Sequence, residues 1–282
     1  MRLATARIDG ATRAVRVEGE QAVVLPWADV GALLESGADW RERAAQEAGE
    51  TVALSGLELR QPVSRPEKVF CAGLNYGRHV HETGRKVAEH PTIFAKFWRS
   101  LIGPYDPIVL PGNSDRVDWE AELVAVIGTP VRHADEETAL AAVAGYTIAN
   151  DVSMRDWQVK SSEMLAGKAF EAATPVGPFV VTGDEIGDGE DLLLQGFVDD
   201  EEVQSASTAE VVFSTAQLIS YISGFITLVP GDLVLTGTPS GIGAVRKPPR
   251  FLQPGEELRT RIEGIGELRN PVLAPAEAPV PA

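Results

Sequence analysis

VDWEAELVAVIG, residues 117–128, sets two glutamates one residue apart inside an apolar run. Successive side chains of a strand point to opposite faces, so Asp118, Glu120 and Glu122 share a side that Val124 and Val126 continue. Trp119, Ala121, Leu123, Ala125 and Ile127 form the other side. The run reads as a strand covered on both faces, with a patch of carboxylates at one end. From Val69 onward the chain is a succession of short β-like runs cut by glycine and proline: KVFCAGLNY, TIFAKF, PIVLP, AVAGYTIAND, GPFVVTG, DLLLQGFVDDEEV and GDLVLTGT. Two helical patterns interrupt them, SMRDWQVKSSEM, with Ser153 as its expected N-cap, and STAQLISYISGFITL. A mixed, mostly β fold with a few covering helices follows, rather than an alternating βα chain.

Residues 1–65 read as a small N-terminal α+β module. RLATARI and RAVRVEGEQAVVLP alternate as strands joined by the turn signal DGAT, and DVGALLESGADWRERAAQEAG carries one helix or two short ones. The prolines of RQPVSRPEK mark a linker, residues 66–276 the main domain, and the Ala- and Pro-rich residues 277–282 a flexible tail.

With 282 residues, 44% of them hydrophobic, the chain can bury a sizeable core. Its net charge of −16, from 41 acidic against 25 basic residues, argues against nucleic-acid and anionic-membrane partners. An anionic substrate would be repelled at long range, so any site for one must carry local positive charge. The single cysteine, Cys71, forbids an internal disulfide, and no signal-like or membrane-spanning run is present. A cytoplasmic protein is the expectation.

Taken alone, Glu-x-Glu is an ordinary solvated strand face, but here the flanks are apolar. Buried like charges do not all stay ionised without compensation, and a hard divalent cation with oxygen ligands supplies it. Asp151, at the end of the apolar run GYTIAND, is a third candidate ligand. Four histidines and one cysteine argue against zinc, leaving Mg²⁺, Mn²⁺ or Ca²⁺. Cys71 sits among apolar neighbours and is expected to be inert. TGTPSGIG lacks the Lys-Ser/Thr of a phosphate-binding loop and reads as a turn after a strand.

The segments GLNYGRHVHETG, PTIFAKF, DWEAEL, GYTIANDVSMRDWQ, GKAFEAATPVGPFV and PGDLVLTGTPSGIG occur in that order across about residues 66–275. In this the chain resembles the fumarylacetoacetate hydrolase superfamily. The resemblance implies a β-roll fold, a bound Mg²⁺ or Mn²⁺ (with Ca²⁺ as a non-native occupant), a homodimer, and a small anionic 2-oxo acid as substrate. By position it makes Glu120, Glu122 and Asp151 the metal ligands, with Asp118 beside that pattern but outside it. It makes Arg155, Gln158 and Thr238 substrate contacts, His79 and Glu82 an acid–base pair, and Lys168 the group that polarises a substrate carbonyl. His79 and Glu82 stand three apart, as do Arg155 and Gln158, so each pair shares a helix face. Residues 77–91, polar and poor in apolar anchors, read as a lid that assembles the His79–Glu82 dyad over substrate.

The resemblance points first to hydrolysis of acylpyruvates, that is 2,4-dioxo acids, with His79–Glu82 activating water and Lys168 steadying the oxyanion. The alternative is decarboxylation of oxaloacetate, or isomerisation of 2-hydroxyhepta-2,4-diene-1,7-dioate, through an enolate on the same metal site. A metal-binding protein without catalysis is the reading from another class.

Overall fold

The computed structural model describes residues 1–275. Ala121–Ile127 is buried at every position. It pairs antiparallel with Val143–Asn150 on one side and Leu233–Leu235 on the other. A strand with partners on both edges and layers on both faces has no water-facing side, which is why it reads as a nearly continuous apolar run.

The two faces separate as the alternation requires. Val124 and Val126 pack with Leu3, Val180, Leu235 and the N-terminal Leu33 and Trp40. Ala121, Leu123, Ala125 and Ile127 pack with Leu218, Ile219 and Ile222 of the helix Thr215–Phe225, and with Ile262 and Leu268 of a second sheet. That helix begins as its sequence specifies, with Ser214 and Gln217 closing a capping box.

The large sheet has twelve strands. From one edge its path runs Thr51–Ala53, Gln21–Val24, Ala11–Glu18, Arg2–Ile8, Thr174–Val181, Val143–Asn150, Ala121–Ile127, Leu233–Leu235, Val69–Gly73 and Thr92–Lys96. Most neighbours are antiparallel, but Leu233–Leu235 runs parallel to Val69–Gly73. A five-stranded sheet runs Glu201–Ser207, Leu193–Val198, Glu257–Ile262, Gly266–Leu273 and Ile108–Val109. The architecture is mixed and mostly β with a few covering helices, as the pattern of short runs implies.

The N-terminal residues add their strands to the large sheet, through Arg2 and Leu3 opposite Val181 and Val180. Asp9 and Gly10, both at positive φ, make the turn between the first two strands. The following segment forms two short helices, Val30–Leu34 and Trp40–Gln46. The expected tail, residues 277–282, lies outside the described residues.

One local expectation is corrected. Ser153 does not cap a helix: it lies in a two-residue strand paired with Val117–Asp118, and its hydroxyl donates back to the Asp151 carbonyl. The helix starts later and is a single turn, Arg155–Gln158. Pairing with the carboxylate-bearing segment takes the residues that would have formed the first turn.

Candidate metal and substrate site

Antiparallel pairing of Ala121 with Asn150 sets the start of one strand beside the end of the next. That register carries Glu120 and Glu122 to Asp151, whose N–H donates to the Glu120 carbonyl at 2.8 Å. Asn150 fixes the join: its Oδ1 accepts from the Glu120 N–H at 2.8 Å and its Nδ2 donates to Thr260 Oγ1 at 2.9 Å. Ligand oxygens of Glu120, Glu122 and Asp151 all lie within 4.8 Å of one another, and the three residues are buried.

Three buried cations surround the carboxylates. Lys96 Nζ donates to Asp151 Oδ1 at 2.6 Å. Lys168 Nζ bridges Glu120 Oε2 and Asp151 Oδ2, both at 2.7 Å. Arg155 reaches Asp118 Oδ2 through Nε at 2.8 Å and Glu120 Oε1 through Nη1 at 2.6 Å. Asp118 is therefore not a fourth ligand. Besides Arg155 it accepts from the Trp119, Gly243 and Ala244 N–H groups, so it anchors the guanidinium and a turn.

Charge is unevenly shared. Burial opposes ionisation of Glu120, but Lys168 and Arg155 outweigh it and hold that carboxyl far below the usual range. Glu122 goes the other way: burial, then the nearby Asp151 and Glu120, push its proton affinity well up. Burial also works against the charges of Lys168 and Arg155, yet the carboxylates around them keep both firmly protonated. Among the described residues, Asp118, Glu120, Glu122 and Asp151 pair with Lys96, Arg155 and Lys168, a formal excess of one negative charge that falls on Glu122. A hard divalent cation among three convergent carboxylates supplies what Glu122 lacks, so the donor set fits Mg²⁺ or Mn²⁺. With such an ion the cluster becomes net positive by one, which suits an anionic substrate despite the −16 of the whole chain.

Beside the cluster lies a cavity of about 650 Å³. Glu120, Arg155, Gln158, Lys168, Thr238 and His79 all line it. Arg155 Nη1 donates to Gln158 Oε1 at 2.9 Å, while its Nη2 is buried without a partner among the described residues. Arg155 thus lines the cavity with a guanidinium whose own pairing is incomplete, which suits an anionic ligand there.

His79 and Glu82 lie on the short helix Gly77–Glu82 with Nδ1 and Oε1 2.8 Å apart. A carboxylate only accepts, so Nδ1 carries the hydrogen and Nε2 is left as the basic nitrogen. Val80 and His79 are buried, and both Glu82 oxygens accept from the Gly241 N–H at 3.2 and 3.1 Å, so protein contacts already assemble the pair.

The segment Thr236–Ala244, read from sequence as a plain turn, proves to be a strap of backbone donors. Its N–H groups serve Glu122 (from Gly237, 2.7 Å), Glu82 (from Gly241) and Asp118 (from Gly243, 2.7 Å, and Ala244, 2.9 Å). Gly237 has φ +97°, and a Cβ there would stand 2.8 Å from Asn75 Cβ and 2.9 Å from the Ala72 carbonyl, so glycine is required for the approach to Glu122. Cys71 is buried, and burial followed by the charge of Asp151 pushes its thiol well up, as befits an inert residue.

All nine residues assigned from sequence therefore meet in one region: the triad, the dyad, and Lys168, Arg155, Gln158 and Thr238 along the cavity. Lys96, Asn150 and Gln204 were missed. Lys96 had a visible signal, the one charge in the apolar run TIFAKF. Asn150 and Gln204 had none, because their role is to bond backbone groups distant in sequence.

Residues 68–273 match the family model described as fumarylacetoacetate (FAA) hydrolase C-terminal. A Rattus norvegicus protein named as a mitochondrial oxaloacetate tautomerase is 47% identical over 220 residues, 78% of this chain and 70% of its own. The fumarylacetoacetate hydrolase of Exiguobacterium antarcticum superposes with a TM-score of 0.88 at 32% identity, covering 97% of this chain and 99% of that one. A 2-hydroxyhepta-2,4-diene-1,7-dioate isomerase from Mycobacterium marinum gives 0.80 at 31%, covering 97% and 98%. The cytoplasmic expectation does not stand, since the rat relative is named as mitochondrial; among the described residues no helix is long and apolar enough to cross a membrane. With the buried triad in place and the family model spanning residues 68–273, the chain belongs to the fumarylacetoacetate hydrolase superfamily.

Proposed function

We propose that the protein interconverts the enol and keto forms of a small dicarboxylic 2-oxo acid, oxaloacetate first, in place of the acylpyruvate hydrolysis expected from sequence. The observation that carries this reading is the 47% identity, over 78% of the chain, to a relative named as an oxaloacetate tautomerase. The Mycobacterium marinum protein named as an isomerase supports the same class of proton transfer.

A divalent cation held by Glu120, Glu122 and Asp151 would supply Lewis acidity at the 2-oxo oxygen, making the C3 proton easier to remove. Arg155, lining the cavity, sets its positive charge against the neighbouring carboxylate. Lys168 has two of its three N–H donors on Glu120 and Asp151 and keeps the third for a substrate oxygen. His79 Nε2 takes the C3 proton and returns it to the 2-oxygen, or runs the reverse, while Glu82 holds the ring tautomer through Nδ1. No water needs to attack, which separates this reaction from hydrolysis. A homodimer without nucleic-acid or membrane partners completes the reading.

The test is enol absorbance in the ultraviolet with oxaloacetate, beside acetylpyruvate hydrolysis, both with Mg²⁺ or Mn²⁺. For oxaloacetate tautomerisation kcat/KM should exceed that for acetylpyruvate by about tenfold or more. The reverse order overturns the proposal, and carbon dioxide release outpacing enol–keto exchange would make decarboxylation the reaction.

A further inference from the structure

Gln204 is buried on the strand Glu201–Ser207, in the second sheet, and every polar hydrogen and its oxygen are engaged. Its Oε1 accepts from the Ala121 N–H at 3.0 Å. Its Nε2 donates to Thr238 Oγ1 at 2.8 Å and to the Pro239 carbonyl at 3.0 Å. The amide can sit only one way round: the Ala121 N–H demands an oxygen and the Pro239 carbonyl demands an N–H. The direction of the bond to Thr238 is thereby fixed. Thr238 lines the cavity, is 3% exposed, and donates to no acceptor among the described residues.

A threonine hydroxyl has one proton and two lone pairs. We propose that Gln204 is a positioning residue that sets the polarity of the substrate cavity: by donating to Thr238 it directs that hydroxyl's proton at an anionic oxygen of the ligand. The same amide grips Ala121, between Glu120 and Glu122, so one side chain also fixes the spacing from the metal ligands to this donor. The cavity then favours a carboxylate or enolate oxygen and disfavours a donor group at that point, because a buried donor facing another donor goes unsatisfied. This inference rests on the reading of the cavity as a 2-oxo acid site.

Oxalate carries the chelating oxygens of such an acid and no reactive carbon, so its calorimetric titration into the full-length protein with saturating Mg²⁺ is the test. Thr238→Val should weaken oxalate by roughly tenfold or more, one hydrogen bond to a charged acceptor, and Thr238→Ser should stay within about threefold. Gln204→Glu keeps the shape but offers only acceptors, so Thr238 must turn its proton away from the cavity. It should weaken oxalate as much as Thr238→Val, and adding Thr238→Val should then cost nothing more. Mg²⁺ affinity without oxalate should be unchanged in Thr238→Val. Additive losses, or wild-type oxalate binding in Gln204→Glu, overturn the proposal. If Gln204→Glu does not fold, the polarity is decided on the wild-type protein alone. A neutron structure of the deuterated protein reads the polarity directly: deuterium on Gln204 Nε2 facing Thr238 Oγ1 is expected, and a Thr238 deuterium facing Gln204 refutes it. Wild-type protein that does not bind oxalate counts against the proposed function, while the neutron result still decides the polarity.

Discussion

Replacing Glu122 by Gln should stabilise the metal-free protein while weakening its hold on metal, and the opposite signs make the change diagnostic. Glu122 carries the unmatched charge, with ligand oxygens of Glu120 and Asp151 within 4.8 Å. Two unit charges at that distance repel by about 3.5 kcal/mol at an effective dielectric of ~20. Lys168, bound to both neighbours, offsets roughly one of the two repulsions, leaving about 3.5 kcal/mol open to relief, from which reorganisation subtracts. The amide keeps an oxygen for the Gly237 N–H and gains hydrogens that the adjacent carboxylates accept. A gain of about 1–2 kcal/mol would raise Tm by about 2–6 °C in EDTA. Saturating metal stabilises the wild type by about 2.7 kcal/mol at a hundredfold excess over Kd, and the variant should gain far less. Scanning calorimetry in EDTA and in Mn²⁺, with metal content measured on the same samples, checks both signs. A lower Tm in EDTA with an undiminished rise in Mn²⁺ would show that Glu122 serves only as acceptor for Gly237, and the charge argument would be refuted.

Other expectations follow from the same geometry. Asp118→Ala strips a buried partner from Arg155 and acceptors from three backbone N–H groups, so urea titration should show a loss of roughly 3–5 kcal/mol, with KM raised as Arg155 loosens. His79→Ala should lower kcat for tautomerisation by about 10²–10⁴ with metal content intact, and Glu82→Gln, which leaves the imidazole in place, by less. The 30.1 kDa chain should elute with light scattering at twice that mass, and a monomer would remove the homodimer from the reading.

The parts of the site that could be read from sequence are those governed by short-range rules. Alternation in residues 117–128 placed a fully covered strand, and the offset of three put His79 on Glu82 before any fold was known. The helical pattern of STAQLISYISGFITL was legible in the same way. What stayed hidden depends on partners far along the chain. Asp118 looks like one more carboxylate of a row until Gly243 and Ala244 arrive to occupy it. Ser153 has the chemistry of a cap, but the demand of strand pairing with Val117–Asp118 wins. The choice between hydrolysis and tautomerisation was not legible for a different reason: both ask for the same metal and the same enolate, so no residue of the cluster distinguishes them.

The strand Leu233–Leu235 lies between Val69–Gly73 and Ala121–Ile127, two strands made much earlier in synthesis. Glu122 and its backbone donor at Gly237 are 115 residues apart. A nascent chain thus carries all three carboxylates of the triad long before it carries the strand that joins their part of the sheet to Val69–Gly73. Closing the sheet at this place is a non-local event, slow by its topology. The contact of Glu122 with the Gly237 N–H, and with it the finished cluster, is therefore a late product of folding, set by separation along the chain.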